Sequence, residues 1–218
     1  MKREFVGILM LVVVLSSGTA GALDLTGPWL GQDPPGLDPV VFAPGIVSTG
    51  IHERDLWVSP DGKTIWFGVM TGNVTSVLET RLEGGTWSDP VAVPFHTNPD
   101  LACFEPTVSA DGDLVMFLTN QAAPGQEQGA GWANQNIFYS RRSAGGWSEP
   151  AAVPAPITSD RAEFFPSLAT DGTLYFTRED SAGHFAVYAT EPLAGNGGTP
   201  VYEEPVRLPA SVNIADQC

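Results

Sequence analysis

An Asp-Gly pair recurs three times along this chain, and its spacing limits the fold more than any other feature. The pair stands in Ser59-Pro60-Asp61-Gly62, Ser109-Ala110-Asp111-Gly112 and Ala169-Thr170-Asp171-Gly172, with 50 and then 60 residues between the aspartates. Self-similarity at such a period marks a repeat architecture. Each pair precedes an apolar run rich in strand formers: Thr64-Ile65-Trp66-Phe67, Leu114-Val115-Met116-Phe117 and Leu174-Tyr175-Phe176-Thr177. Asp-Gly supplies the positive-φ position of a tight hairpin, so every repeat starts as strand, turn, strand. A third run follows at residues 76–80, 137–140 and 186–189. The repeat then closes on Gly84-Gly85-Thr86-Trp87-Ser88-Asp89-Pro90 leading to Val93-Pro94. The later copies are Gly145-Gly146-Trp147-Ser148-Glu149-Pro150 with Val153-Pro154, and Tyr202-Glu203-Glu204-Pro205 with Leu208-Pro209. Proline cannot donate to a strand ladder, which suits an outer edge. Trp87, Trp147 and Tyr202 recur on that outer strand and read as packing between repeats.

Four antiparallel strands per repeat of this length describe the blade of a β-propeller, an all-β fold. About three blades are expected, at 52–102, 103–161 and 162–215, with the start of a fourth at 216–218. Three blades leave open edges, so the ring is expected to be incomplete. Nine residues separate Pro94 from Cys103 and Pro209 from Cys218, and Asn98 matches Asn213, so the chain stops where a fourth blade would begin. A C-terminally truncated piece of a longer propeller is the expectation; a complete chain would call for self-association. The N-terminal segment, 23–51, holds Val40-Val41-Phe42-Ala43-Pro44-Gly45, which resembles a late strand without its predecessors and is a candidate for closing the ring. Residues 121–136, rich in Gly, Gln, Ala and Asn, read as a loop between the second and third strands of repeat two.

Residues 1–22 have the three parts of a secretory signal: Lys2 and Arg3, an apolar run at 5–15, and the small residues Ala20-Gly21-Ala22. The expected location is secreted or periplasmic, with no membrane insertion after cleavage. The formal net charge is −15. That sign repels phosphate backbones and anionic bilayers, which excludes nucleic acid as a partner. It accommodates cationic ligands, and it also keeps an exported protein soluble. An oxidising compartment permits a disulfide between Cys103 and Cys218, but two cysteines alone do not establish one.

The stretch Glu105-Pro106-Thr107-Val108-Ser109-Ala110-Asp111-Gly112 resembles the WD40-like repeat called PD40, found in TolB-like β-propellers. Pro166 keeps the same place in the third repeat. The first repeat departs with Leu56, and the third has Ala169-Thr170 in place of Ser-Pro. The opening Gly27-Pro28-Trp29-Leu30-Gly31-Gln32 is also similar to the start of exported bacterial proteins of this family. The resemblance covers roughly 27–218 and implies an exported scaffold that binds a protein or another ligand. No N-terminal TolB domain is evident, so the role of TolB itself is not carried over.

Catalytic signatures are sparse. The chain has no Gly-x-Ser-x-Gly elbow and no Gly-rich Gly-x-x-x-x-Gly-Lys-Ser/Thr phosphate loop. No catalytic residue, metal or cofactor is expected. The segment 59–66 looks like a sialidase Asp-box, but its glycine stands one position early, so the aspartates read as turn residues. His52, His96 and His184 fall at different blade levels, unlike the clustered histidines of propeller lyases acting on uronate sugars. Aligning the Asp-Gly turns places Glu53, Cys103 and Glu163 in one position, Arg54, Phe104 and Phe164 in the next, and Asp55, Glu105 and Phe165 after them. The start of an inner strand lines the mouth of a propeller channel. Glu53, Arg54, Asp55, Glu105 and Glu163 are therefore the candidate ligand-binding rim, suited to a cation or basic partner. The expected function is an exported, non-catalytic binding or scaffold module that engages a protein, peptide or glycan through its channel face. The alternative is a carbohydrate-active hydrolase or lyase on the same fold.

Overall fold

A computed structural model describes residues 26–33, 36–72, 74–96, 98–194 and 198–214. The signal segment, Asn73 of the Asn73-Val74-Thr75 sequon, Cys218 and the start of a fourth blade lie outside the described residues.

Three antiparallel blade sheets follow one another along the chain, and the last is accompanied by a separate two-stranded ribbon. Blade one contains β1 (His52–Val58), β2 (Thr64–Thr71), β3 (Val74–Glu83), β4 (Thr86–Trp87) and β5 (Val91–Ala92). Blade two contains β6 (Phe104–Val108), β7 (Leu114–Thr119), β8 (Asn136–Ser143), β9 (Gly146–Trp147) and β10 (Ala151–Ala152). Blade three contains β11 (Glu163–Leu168), β12 (Leu174–Glu179), β13 (Phe185–Thr190), β14 (Pro192–Leu193), β15 (Val201–Tyr202) and β16 (Val206–Arg207). The first three strands of each blade pair in sequence, and β5, β10 and β16 add the fourth strand to β3, β8 and β13. The fold is that of propeller blades in an open array. Among the described residues no α-helix forms.

The aromatic outer segment is shorter than a full strand. The two-residue pieces β4 and β9 pair with the far ends of β3 and β8, before the proline break. A hydroxyl bridges this break in every blade: Thr80, Ser140 and Thr190 donate to the carbonyls of Ser88, Ser148 and Glu203 at 2.7, 2.6 and 2.6 Å. The aromatic residue just before the bridged carbonyl packs backwards. Trp147 lies 5.6 Å from Trp66 of blade one, and Tyr202 joins the core shared with blade two.

The Asp-Gly hairpins differ in one respect. In the first two, a serine hydroxyl accepts the N–H of the residue five positions on, Thr64 at 2.9 Å and Leu114 at 3.0 Å. Blade three has Ala169 there. Its hairpin closes one residue sooner, with Ala169 N–H donating to the Thr173 carbonyl. The side chains of β12 are therefore out of step with the Asp-Gly alignment: Tyr175 pairs with Ser167 as Met116 pairs with Thr107 and Trp66 with Trp57.

Cores lie between blades. Trp66, Val77, Val93 and Phe95 of blade one meet Val115, Phe117 and Phe138 of blade two. Met116, Ile137, Val153 and Ile157 of blade two meet Leu174, Phe176 and Tyr202 of blade three. The segment 36–49 forms no strand. Its chain turns at Ala43 (φ 43°), whose carbonyl accepts the N–H groups of Ile46, Val47 and Ser48. It lies on the outward face of blade one, where Leu30, Ala43 and Val47 cover Ile65, Phe67 and Trp87. The Trp87 indole N–H donates to Gly27 O at 2.8 Å and fixes this cover.

Candidate functional site

The inner strands share a break that the sequence conceals. Pairing of β1 with β2, β6 with β7 and β11 with β12 shifts register between Arg54 and Trp57, Phe104 and Thr107, and Phe164 and Ser167. At each break one residue adopts a left-handed backbone: Asp55 (φ 56°), Glu105 (φ 54°) and Phe165 (φ 51°). This conformation costs a side-chain-bearing residue roughly 1–2 kcal/mol. A β-bulge frees backbone groups from the ladder and re-aims side chains, and bulges gather beside functional sites.

The freed groups are joined across blades. Glu105 Oε2 accepts the Phe165 N–H at 2.6 Å, and Glu105 Oε1 faces Arg54 Nη2 at 3.4 Å. Arg54 Nε also donates to Asp55 Oδ2 at 2.6 Å. The Arg54 guanidinium lies 5.2 Å over Phe104 and 5.7 Å over Phe165. One carboxylate thus connects three successive inner strands. Glu105 is only 6% exposed. Burial pushes its pKa up to about 7; the Phe165 N–H opposes this, Asp55 adds to it and Arg54 opposes it. A carboxyl poised near neutrality among charged partners is the physical mark of a functional-site candidate.

The other two carboxylates of the expected rim are held elsewhere. Glu53 accepts the Thr49 N–H at 2.8 Å and the Thr49 hydroxyl, which lowers its pKa. Glu163 is fully buried and bonded to the Ser159 hydroxyl and to Arg178 Nε at 3.1 Å. Burial raises its pKa, and Ser159 and Arg178 oppose the shift. Arg178 Nη2 continues to the carbonyls of Pro156 and Ile157, both at 2.6 Å. Glu53 and Glu163 therefore repeat one device: each holds a hydroxyl residue four positions upstream and ties down the loop before its inner strand. Cys103 takes that position in blade two, with its N–H donating to Thr75 Oγ1 at 3.0 Å and its thiol buried. Arg54, Asp55 and Glu105 are brought together; Glu53 and Glu163 are each anchored to the segment that leads into their own inner strand.

Trp132 is a member of the site that repeat alignment does not reveal, because it sits in the insertion unique to blade two. That loop is ordered by its own amides. Gln126 Nε2 donates to Ser159 O at 2.8 Å, Asn136 Nδ2 to Gln121 O at 2.8 Å, and Gly129 N–H to Asn134 Oδ1 at 2.7 Å. It sets Trp132 on Phe104, ring centroids 6.0 Å apart and 11° from parallel. Phe104 therefore carries both Trp132 and Arg54. Trp132 and Phe165 remain 48% and 44% exposed. A cleft of about 560 Å³ opens beside Trp132, between the loop and blade three.

The histidines stay apart from this cluster. His52 is exposed at the start of β1, His96 bonds Leu101 O at 3.0 Å, and His184 sits 3.9 Å from Asp180. Among the described residues no three His, Cys, Asp or Glu side chains are grouped to hold a metal.

No described protein family and no curated protein matches the chain. It is similar to solved structures. One is the putative TolB from Agrobacterium tumefaciens, at 18% identity and a TM-score of 0.44, over 66% of this chain and 46% of that one. Another is TolB from Acinetobacter baumannii, at 16% identity and 0.46, over 72% of this chain and 33% of that one. A third is a puromycin-hydrolyzing peptidase from Mycobacterium tuberculosis, at 18% identity and 0.41, over 72% of this chain and 24% of that one. The chain spans less than half the length of each of these structures.

Proposed function

We propose that this protein is an exported, non-catalytic binding module whose channel face engages a peptide segment of a partner protein. One observation carries the reading. At the bulges of three neighbouring inner strands, Arg54, Asp55 and Glu105 form a linked charged group beside the exposed ring of Phe165. Aromatic and arginine side chains held in place by their neighbours are the usual anchors of protein interfaces. Residues 1–22 supply the export signal, and the acidic surface favours a partner of opposite charge.

The test is to pan a random-peptide display library on the full chain and on an Arg54→Ala, Phe165→Ala double variant. Peptides enriched on the wild type should bind the variant at least about tenfold more weakly, the loss expected when interface anchors are truncated. Failure to enrich any family of sequences, or equal binding to both proteins, refutes the reading. A glycan array run beside it shows whether the channel face prefers sugars.

A further inference from the structure

We propose that the cleft beside Trp132 takes a cationic side chain, arginine or lysine, from a basic peptide. This rests on the peptide-binding reading above and names the chemistry the ligand brings.

The cleft measures about 560 Å³ and is walled by the blade-two loop on one side and by the beginning of blade three on the other. That is within the range of about 300–1,000 Å³ common for ligand clefts. Trp132 and Phe185 supply its aromatic surface, and Glu127, Asp160 and Glu179 its carboxylates. Each carboxylate comes from a different element, so the negative charge surrounds the space rather than marking one spot. The basic residue of the lining, Arg161, is engaged: its Nη1 donates to Asp180 O at 2.6 Å and its Nε faces Asp160 Oδ1 at 4.0 Å, which leaves Glu127 and Glu179 without a basic partner in the lining. The cleft therefore holds more negative than positive charge beside an exposed indole, and indole is the aromatic side chain that attracts cations most strongly.

The arrangement favours a cation over a sugar because two of the three lining amides, Gln126 and Asn134, are already in use. Gln126 Nε2 is bonded to Ser159 O and Asn136, and Gln126 Oε1 accepts from Ala123 N–H and Asn136. Asn134 Oδ1 accepts Gly129 N–H, and its Nδ2 donates to Glu127 O. These side chains build the wall and leave few neutral partners for sugar hydroxyls. The protein already places arginines over its own rings, Arg54 over Phe104, Arg142 over Trp147 and Arg178 over Phe176, at 5.2, 5.9 and 5.0 Å. Trp132 extends one of these stacks and still has exposed ring surface.

The experiment is calorimetric titration with the capped peptide Gly-Arg-Gly-Arg-Gly, its glutamine counterpart and maltotriose. The proteins are the wild type, Trp132→Ala and an Asp160→Asn, Glu179→Gln double variant. The arginine peptide should bind the wild type and weaken about tenfold in either variant, as loss of the aromatic contact or of two carboxylates removes much of the attraction. The double variant changes surface carboxylates, so it tests the cleft even if Trp132→Ala loosens the loop. Equal affinity for the arginine and glutamine peptides overturns the proposal. So does arginine-peptide binding that neither variant changes, which is attraction to the acidic surface at large, and so does preferential binding of maltotriose. If panning enriches neutral peptides that depend on Arg54 and Phe165, the channel-face reading stands and this one falls.

Discussion

Replacing Glu105 with glutamine should flatten the fall in stability of this protein between pH 5 and pH 8. In an unfolded chain a glutamate titrates near 4.3. In the folded protein burial pushes Glu105 up to about 7. Between those values the folded state keeps a proton that the unfolded state has released. Unfolding then releases a proton, so raising the pH favours unfolding. The contribution of this carboxyl is fully present below about pH 4, declines through the interval and levels off above pH 7. At up to about 1.36 kcal/mol per pH unit, the part between pH 5 and pH 8 comes to about 3 kcal/mol. Glutamine keeps an oxygen for the Phe165 N–H and cannot ionise. The variant should therefore match the wild type near pH 5 and exceed it by up to about 3 kcal/mol at pH 8. Burial shifts Glu163 in the same direction, but it is present in both proteins and cancels in the difference. Urea unfolding followed by tryptophan fluorescence at pH 5, 6, 7 and 8 measures the two curves. Parallel curves would refute the assignment of Glu105 as the buried titrating group.

Two further expectations concern groups outside the bulge. Arg178→Leu should lower stability by about 3–5 kcal/mol, because it strands the Glu163 carboxylate in the core without its ion pair; thermal unfolding near pH 7 reads this, and adding Glu163→Gln should recover part of the loss. The Cys103 thiol is buried, and burial holds it well above the usual thiol range; iodoacetamide should label the peptide containing Cys103 only once urea unfolds the chain, and rapid labelling of the native protein would contradict the packing described here.

The blade plan was legible because Asp61, Asp111 and Asp171 mark turns whose backbone needs little context, and because Pro90, Pro150 and Pro205 mark edges. Counting back from those turns put Glu53, Arg54, Asp55, Glu105 and Glu163 in one candidate rim, without separating Arg54, Asp55 and Glu105 from the two glutamates that anchor loops. The bulge was hidden, since Asp, Glu and Phe share no chemistry that signals a left-handed backbone. Tertiary pairing imposes that conformation. The face of β12 was hidden too. It depends on a hydroxyl that Ala169 lacks, so alignment on Asp-Gly placed Tyr175 with Val115 rather than with Met116. Local composition announced residues 121–136 as a loop but not its amide lattice, because hydrogen bonds such as Gln126 to Ser159 join residues far apart in sequence.

The two outward faces of the array are unequal. The first is sealed by Leu30, Ala43 and Val47. The other presents Tyr175, 39% exposed, and Val212, 44% exposed, at positions where Trp66 and Met116, and Ile157, are buried. In a stack whose units are held by nearest neighbours, a unit supported on one side opens more readily than one supported on both. Among the described residues the third sheet is that unit. Without a cover on Tyr175, loosening would start at blade three, reach blade two through the shared Met116 and Phe176 core, and come last to the capped blade one. Whatever packs against Tyr175 would act as a lock on the whole series.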